Sequence, residues 1–161
     1  METIQAAEGA AGRRIAIVVS AFNDFVTERL RNGALAALAA AGVADGDISI
    51  IRVPGAFEIP LAAQHAAESG RFDAIVCLGC LIRGETPHFE YISSAVSHGI
   101  TAAAAATGVP MSFGVLTTNS AEESLARAGE GPGNKGHEAA LAALAMADVV
   151  AQLSRPNARR P

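Results

Sequence analysis

The sequence predicts a protein of the α/β class, in which one four-stranded parallel sheet lies between two layers of helices. Short, almost uninterrupted apolar runs predict strands that are covered on both faces. These runs alternate with longer segments in which apolar residues recur at helical spacing. Such alternation of strand and helix is typical of parallel sheets with right-handed crossovers.

The predicted strands and helices follow one another without an internal repeat or a linker. The four predicted strands are residues 14–20, 48–53, 74–82 and 111–117. The helices that follow them are predicted to end at Gly42, at Gly70, at Gly108 and near Gly129, and a last helix after the loop 129–136 carries Leu141 to Leu153. Residues 1–12 lack a firm period and are predicted to be a loose N-terminal edge strand or an unpaired segment. The chain is therefore one domain over residues 1–161, with its core at 13–153 and a flexible tail at 154–161.

Residues near the helix ends support these boundaries. Asn23 or Asp24 can cap the first helix, and Pro87 fits the first turn of the third. Ser120 with Glu123 predicts a capping box at the start of the fourth helix.

Because alanine supplies much of the apolar content, we expect slim, closely packed helices whose remaining faces pack against partner subunits.

Composition and charge exclude several classes of protein. The net charge of −4 and the single lysine argue against a nucleic-acid partner. Every apolar stretch is far shorter than the roughly 20 residues of a membrane span, and the acidic N-terminus lacks the apolar core of a secretory signal. We therefore expect a cytoplasmic protein without a membrane partner.

The two cysteines, Cys77 and Cys80, are predicted to be buried, inert thiols. Their CLGC spacing is weak support for zinc, because a zinc site needs about four ligands and no second pair exists. A redox pair normally opens a helix, whereas these residues lie inside an apolar strand. We therefore predict no metal site here.

The ends of the four strands carry a cluster of residues that can bind a ligand. Parallel strands bring their carboxyl ends to one edge of the sheet, where α/β proteins bind ligands. The residues at this edge are Phe22 and Asn23, then Gly55 to Glu58, then Arg83 to His88, and Phe113 within the fourth strand. The amides of the turn 83–88, which precedes a helix, favour an anion such as phosphate. This edge suits a flat heterocycle with a polar tail and a phosphate.

Each of these residues also has a simpler structural interpretation. Phe22 and Phe113 are by default core residues, and Glu58 is by default a surface charge at a helix start. Arg127 is favourable at a helix end in any case, and Lys135 is either a solvated loop charge or a phosphate contact. The other histidines are most simply solvated, namely His65, His98 and His137. His88 is different, because a cation at a helix start opposes the dipole, and this favours a functional role.

Taken together, five segments of the chain resemble the lumazine synthases, which make 6,7-dimethyl-8-ribityllumazine in riboflavin biosynthesis. These segments are IAIVVSAFN, VPGAFEIP, LGCLIRGETPHFEY, FGVLTTNSAEESLARAG and GNKG, and they span roughly residues 14 to 152. The resemblance implies a flavodoxin-like, three-layer fold. It also implies a condensation of 5-amino-6-(D-ribitylamino)uracil with 3,4-dihydroxy-2-butanone 4-phosphate that releases phosphate and water. These steps need proton transfer and positioning, so we expect no metal or redox cofactor.

The resemblance also implies roles for individual residues. Phe22 stacks on the pyrimidine, with Asn23 beside it, and His88 transfers protons. The other contacts to the pyrimidine and its ribityl chain are Ala56, Phe57, Glu58, Cys80, Leu81 and Ile82. Glu85 and Thr86 form the phosphate-binding turn. Three residues close the site from a neighbouring subunit, namely Phe113, Arg127 and Lys135.

Two positions depart from the family pattern. Ala21 replaces an arginine that is common before the stacking aromatic residue, so any side-chain role there is lost. Cys80 and Leu81 stand where smaller or β-branched residues are frequent, and we expect their backbone roles to survive.

The family assembles as pentamers, which in some members stack into decamers or close into a hollow shell of sixty subunits. The uninterrupted loop GEGPGNKG resembles that of the shell-forming members. The resemblance thus implies a homo-oligomer with the pentamer as its unit, and riboflavin synthase is a candidate partner inside a shell.

Three other functions stay open at this point. An archaeal-type riboflavin synthase would dismutate two lumazines on the same fold. A non-catalytic shell protein would bind riboflavin or a ribityl pyrimidine without releasing phosphate. A flavodoxin-like regulatory module would need a phospho-acceptor aspartate at a strand end, where Asp24 lies without an acidic cluster.

Overall fold

The computed structural model describes residues 1–155, so that residues 156–161 of the predicted tail lie outside the described residues. Within residues 1–155 four strands form one parallel sheet in the order β2-β1-β3-β4. The strands are β1 (Ile15–Ser20), β2 (Ile48–Val53), β3 (Ala74–Ile82) and β4 (Met111–Thr118). The α-helices of the same range are α1 (Asp24–Ala40), α2 (Ile59–Glu68), α3 (His88–Thr107), α4 (Ala121–Arg127) and α5 (Lys135–Leu153). The predicted α/β fold with a four-stranded parallel sheet is confirmed.

The sheet separates two apolar clusters, which makes the fold a three-layer structure. Alternate residues of β1 and β3 point to opposite faces, as the pleat of a strand requires. Ile17 and Leu78 pack on one face with residues of α1 and α5, including Leu30. Val18 and Ile75 pack on the other face with residues of α2 and α3. The central strands are therefore buried on both sides, which explains their continuous apolar runs.

Small residues allow α1 and α5 to pack closely. A Cβ atom on Gly136 would lie 1.9 Å from the backbone oxygen of Leu30, and one on Gly33 would lie 2.2 Å from Oδ1 of Asn134. Both positions leave no room for a larger side chain. The prediction of closely packed helices is confirmed for this pair.

Residues 1–12 form no strand, so of the two possibilities for this segment the structure has the unpaired one. The segment is held along α5 and the end of α1 instead. The amide of Ala7 donates to the carboxylate of Asp148 at 3.0 Å, and that carboxylate also pairs with Arg13 at 2.6 Å. The amide of Ala10 donates to the carbonyl of Ala41 at 2.8 Å.

One predicted capping bond is absent, and one predicted helix start differs from that observed. Asn23 precedes α1, but its side chain makes no capping hydrogen bond there. The predicted loop 129–136 ends at Asn134, whose side-chain oxygen accepts from the amides of Gly136 and His137 at 2.8 and 3.2 Å. Lys135 is consequently the first residue of α5 rather than a loop residue.

The Ser120 half of the capping box predicted for α4 is confirmed, whereas Glu123 bonds to a different amide from the one predicted. The hydroxyl of Ser120 accepts a hydrogen bond from the amide of Glu123 at 3.1 Å. The Glu123 carboxylate in turn accepts from the amide of Asn119 at 2.9 Å. These two bonds fix the path of the chain from the end of β4 into α4.

Among the helices of residues 1–155, none has the length and apolar character of a membrane span.

Candidate active site

A hollow of about 480 Å³ opens where β1, β2 and β3 end and α3 begins. We call it the β1–β3 hollow. The residues that line it are Phe22, Asn23, Gly55, Ala56, Phe57, Glu58, Leu81, Ile82, Gly84, Thr86, His88, Phe89 and Ile92. Most of the predicted pyrimidine, ribityl and proton-transfer residues are therefore neighbours in space. The sequence analysis did not assign Phe89 or Ile92 to the site, although both lie on the apolar face that the sequence indicated for α3.

Two aromatic rings stand open at the mouth of this hollow. Phe22 is 68% exposed and Phe57 is 59% exposed. The default interpretation of Phe22 as a core residue is therefore wrong. The amides of Ala21 and Phe22 donate to the carbonyls of Val53 and Pro54, at 2.8 and 3.0 Å, so the chain follows β2 beyond the end of β1. These bonds hold Phe22 at the sheet edge, beyond the helices that cover β1.

Asn23 ties the ends of two strands together. Its backbone adopts the left-handed conformation, with φ at 60°, which is unusual for a residue other than glycine. Its side-chain amide donates to the carbonyl of Cys80 at 2.9 Å. Asn23 thereby links the end of β1 to β3, and this contact replaces the expected cap of α1. Cys80 itself does not line the hollow, and its sulfur donates to the hydroxyl of Ser124 at 3.3 Å.

The carboxylate of Glu58 is held in place by the turn that precedes α2. Its Oε2 atom accepts a hydrogen bond from the amide of Gly55 at 3.0 Å. Residues Ala56–Glu58 form a 3₁₀ turn between β2 and α2, and this turn brings Ala56, Phe57 and Glu58 to the hollow. The side chain of Glu58 is therefore ordered before any ligand arrives, as a site for hydroxyl or amide groups requires.

The turn between β3 and α3 carries the groups suited to an anion. Within residues 1–155 no hydrogen bond uses the backbone amides of Gly84, Glu85 or Thr86. These amides lie next to the start of α3, where the helix dipole favours negative charge. Thr86 and His88 line the hollow, whereas Glu85 is exposed and does not. His88 is the first residue of α3 and is also exposed.

A second hollow of about 460 Å³ lies between β4, α4 and α5, and we call it the β4–α5 hollow. Phe113, Arg127, Lys135 and Glu138 are among its lining residues. The Lys135 ammonium lies 2.9 Å from the Glu138 carboxylate. Arg127 donates to the carbonyl of Glu123 at 3.0 Å. This hollow therefore holds two cations that are partly satisfied by the chain's own oxygens.

Phe113 is 48% exposed, so its default interpretation as a core residue is wrong. It lies on β4, the last strand of the sheet, which has a neighbouring strand on one side only. Within the described residues the two hollows share no lining residue. In a single chain, Phe113, Arg127 and Lys135 are thus separate from Phe22 and His88.

Both cysteines are buried, as the sequence predicts. They belong to the apolar clusters on opposite faces of the sheet. Burial raises the pKa of the Cys77 thiol to about 12 and also raises that of Cys80, which a hydrogen bond to Ser124 partly offsets. Among residues 1–155, no group of three or more histidine, cysteine, aspartate or glutamate side chains is placed to hold a metal ion.

Comparison with known proteins gives one consistent result. The family model described as 6,7-dimethyl-8-ribityllumazine synthase matches residues 12–151. A protein of that name from Syntrophus aciditrophicus (strain SB) is 53% identical over 144 residues, which are 89% of this chain and 94% of the relative. Another of that name, from Desulfatibacillum aliphaticivorans, is 46% identical over 149 residues, or 92% and 96% of the two chains.

Proposed function

The chain belongs to the 6,7-dimethyl-8-ribityllumazine synthase family, and from this premise we propose how its two hollows make the lumazine of riboflavin biosynthesis. The reaction condenses 5-amino-6-(D-ribitylamino)uracil with 3,4-dihydroxy-2-butanone 4-phosphate and releases phosphate and water. The enzyme is a transferase-type condensing enzyme. The observation that carries the proposal is the convergence of Phe22, Glu58, Thr86 and His88 on one hollow in a chain of this family.

The pyrimidine occupies the β1–β3 hollow. The exposed ring of Phe22 offers an apolar face for stacking the flat heterocycle. Ala56 and Phe57, with Leu81 and Ile82, present main-chain groups along the same hollow. The ordered carboxylate of Glu58 accepts hydrogen bonds from the ribityl hydroxyls or the ring nitrogens.

The phosphate of the second substrate binds at the turn between β3 and α3. The free amides of the turn and the hydroxyl of Thr86 donate to it, and Glu85 contributes through its backbone. Among the described residues that line the β1–β3 hollow, none is an arginine or a lysine. A phosphate dianion therefore meets no arginine or lysine side chain within this half of the site.

The missing cations come from a second copy of the chain. Arg127 and Lys135 lie in the β4–α5 hollow together with the exposed ring of Phe113. One hollow thus offers a stacking face and free amides, while the other offers two cations and a second ring. Contact between the β1–β3 hollow of one subunit and the β4–α5 hollow of its neighbour completes a site that neither subunit has alone. When phosphate binds, Lys135 exchanges its contact with Glu138 for the phosphate oxygens.

His88 moves the protons that the reaction requires. The amine of the pyrimidine attacks the ketone, and a first water leaves as the imine forms. Phosphate is then eliminated, and the ring closes on the second carbonyl with loss of a further water. One positioned acid or base contributes typically 10²–10⁴-fold to such steps. Holding both substrates in reacting geometry can contribute about 7–11 kcal/mol, so positioning is the larger effect and no cofactor is required.

The shared site requires an oligomer. We propose a pentamer as the unit, with a decamer or a shell of sixty subunits as its larger forms, in the cytoplasm. Exposed apolar side chains on three helices supply surfaces for subunit contacts, and they include Leu61, Tyr91 and Leu141. Riboflavin synthase is a candidate partner within a shell.

An absorbance assay with both substrates tests the proposed reaction. We expect wild-type protein to form the lumazine and to release phosphate, and a variant with His88→Ala and Arg127→Ala to be strongly impaired. Riboflavin formed from lumazine alone would instead identify a riboflavin synthase. Binding of a ribityl pyrimidine without phosphate release would identify a non-catalytic shell protein. Either result would overturn the proposal.

A further inference from the structure

Arg83 connects the turn between β3 and α3 to two other parts of the fold. Its amide donates to the carbonyl of Thr118 at 2.8 Å, which extends the pairing of β3 with β4. Its Nε atom donates to Oδ1 of Asn119 at 3.0 Å, and its Nη1 atom pairs with the carboxylate of Glu90 in the first turn of α3. The guanidinium carbon lies 4.5 Å from the centre of the Phe89 ring. One side chain thus holds residues on both sides of the segment 84–87.

Arg83 does not belong to the anion site that the sequence indicates for this turn. It does not line the β1–β3 hollow. It lines a separate, open depression together with Glu90, Phe113 and Thr117. Phe89, on whose ring the guanidinium lies, lines both spaces. Two of the donor groups of Arg83 are also already occupied by Asn119 and Glu90.

The segment that Arg83 brackets has little else to hold it. Residues 84–87 are exposed, and the free amides of Gly84, Glu85 and Thr86 are not tied to the rest of the chain. Free amides are useful to an anion only when they point together at it, and the surrounding structure must fix their directions. Arg83 precedes this segment, and its partners Phe89 and Glu90 follow it.

We propose that Arg83 is a positioning residue that sets the conformation of the phosphate-binding turn without touching the substrate. The inference rests on the proposed function, because it concerns the phosphate of the second substrate. An arginine is needed because its planar fork donates in two directions while its flat face lies against Phe89. A lysine at this position has one ammonium and cannot make the three contacts together.

The charge on the Glu90 partner persists at working pH. A hydrogen bond from its own backbone and one from Arg83 lower the pKa of the Glu90 carboxyl. An arginine guanidinium stays protonated in proteins. The other charged residues on the turn and on α4 are Glu85, Glu122, Glu123 and Arg127, and α3 also carries His88 and His98. The Glu123 carboxylate accepts from the amide of Asn119, and Arg127 donates to the carbonyl of Glu123.

Steady-state kinetics with each substrate varied in turn tests this role. We expect Arg83→Lys to raise KM for the butanone phosphate by on the order of tenfold, since misplacement by 1 Å can cost as much as 10²-fold. We expect KM for the pyrimidine to change by less than about twofold, because the contacts of Phe22 and Glu58 do not involve Arg83. Arg52→Lys is the matched control, since Arg52 is an exposed arginine paired with Glu28 at 2.9 Å outside both hollows.

Glu90→Ala separates positioning from direct binding. If Arg83 only positions the turn, removing its partner raises KM for the butanone phosphate in the same direction as Arg83→Lys. The double variant is then no worse than the more impaired single variant. If Arg83 bound phosphate directly, Glu90→Ala would free the guanidinium and remove a nearby negative charge, so KM would fall or stay the same.

The outcomes distinguish this inference from the proposed function. Wild-type protein that makes no lumazine would overturn both. An active wild type with an unchanged KM in Arg83→Lys, or an unchanged or lowered KM in Glu90→Ala, would overturn the positioning role alone. Should an Arg83 variant fail to assemble, KM for the butanone phosphate is measured in Asn119→Ala instead. This substitution removes the partner of the Arg83 Nε atom that follows β4.

Discussion

Replacing Phe22 by alanine separates the stability of the fold from the binding of the pyrimidine. The ring of Phe22 is 68% exposed, so the folded chain buries only about a third of it. Complete burial of a phenylalanine stabilises a protein by about 1.5–3 kcal/mol, and a third of that is roughly 0.5–1 kcal/mol. We therefore expect Phe22→Ala to lower the melting temperature by only about 1–4 °C.

The effect on substrate binding is expected to be much larger. Stacking of a base on an aromatic side chain is worth about 1–3 kcal/mol. Since each 1.4 kcal/mol is a factor of ten, KM for the pyrimidine substrate should rise by roughly 5- to 150-fold. KM for the butanone phosphate should stay near its wild-type value, because the phosphate turn is separate from Phe22 in the chain and in its contacts. Phe22→Tyr keeps the stacking face and should restore most of the affinity.

The assay is the absorbance of the lumazine product with each substrate varied, beside a thermal melt of each variant. Phe25→Ala is the matched control, because Phe25 is an aromatic residue of α1 that is 45% exposed and lines neither hollow. A pyrimidine KM that is unchanged in Phe22→Ala, or raised equally in Phe25→Ala, would refute the stacking argument. A large loss of stability in Phe22→Ala would refute the argument that the folded chain buries only about a third of the Phe22 ring.

Three further predictions concern the other residues of the site and the buried thiol. His88→Ala should lower kcat by no more than about 10²–10⁴-fold, because the positioning of both substrates survives, and a fall to the uncatalysed rate would contradict this. Arg127→Ala should mainly raise KM for the butanone phosphate, and an unchanged value would show that the phosphate site is assigned wrongly. Cys77 is neutral in the fold up to pH about 12, whereas in the unfolded chain it ionises from its ordinary pKa of 9.0. The neutral Cys77 thiol therefore stabilises the fold fully below pH 9, and above pH 9 the free energy of unfolding should fall by about 1.4 kcal/mol per pH unit because of this group. Urea titrations at several pH values should show this fall in the wild type and should lack it in Cys77→Ala.

The sequence predicts the fold well because the signals for it are local and repeated. The central strands β1 and β3 are short apolar runs, since they are buried on both faces. The cap that Ser120 places on α4 is likewise visible as a pattern of neighbours. The left-handed conformation of Asn23 is not visible in this way, because it depends on the carbonyl of Cys80, which is distant in sequence.

The sequence predicts which residues form the site better than it predicts which way their side chains point. Parallel strands must bring their ends together, so the neighbourhood of Phe22, Glu58 and His88 follows from strand order alone. Whether an aromatic residue after a strand is buried or exposed depends on what covers the sheet edge, and the default was wrong for both Phe22 and Phe113. Arg83 adjoins the turn in sequence, yet its side chain is directed to Asn119 and Glu90 and does not line the β1–β3 hollow. Sequence distance does not reveal that direction.

The flanking glycines explain the misplaced boundary at Lys135. A glycine-rich stretch predicts a loop up to Gly136, but Gly136 is needed for the close approach of α5 to the backbone of Leu30. Asn134 caps the helix from within the same stretch. The composition of the segment thus reflects packing and capping as well as the loop.

The most direct test of the shared site is the activity of assemblies that contain two different defective chains. One chain carries Phe22→Ala with His88→Ala and the other carries Arg127→Ala, and the two are unfolded and assembled together in equal amounts. If each site combines the β1–β3 hollow of one subunit with the β4–α5 hollow of the next, about one quarter of the sites in a mixed ring regain both intact halves. In an assay at butanone phosphate concentrations far below the raised KM of Arg127→Ala, the shared site therefore predicts about a quarter of wild-type activity in the mixture, well above that of either variant assembled alone. Activity in the mixture no greater than the average of the two separate variants would mean that each site lies within a single chain.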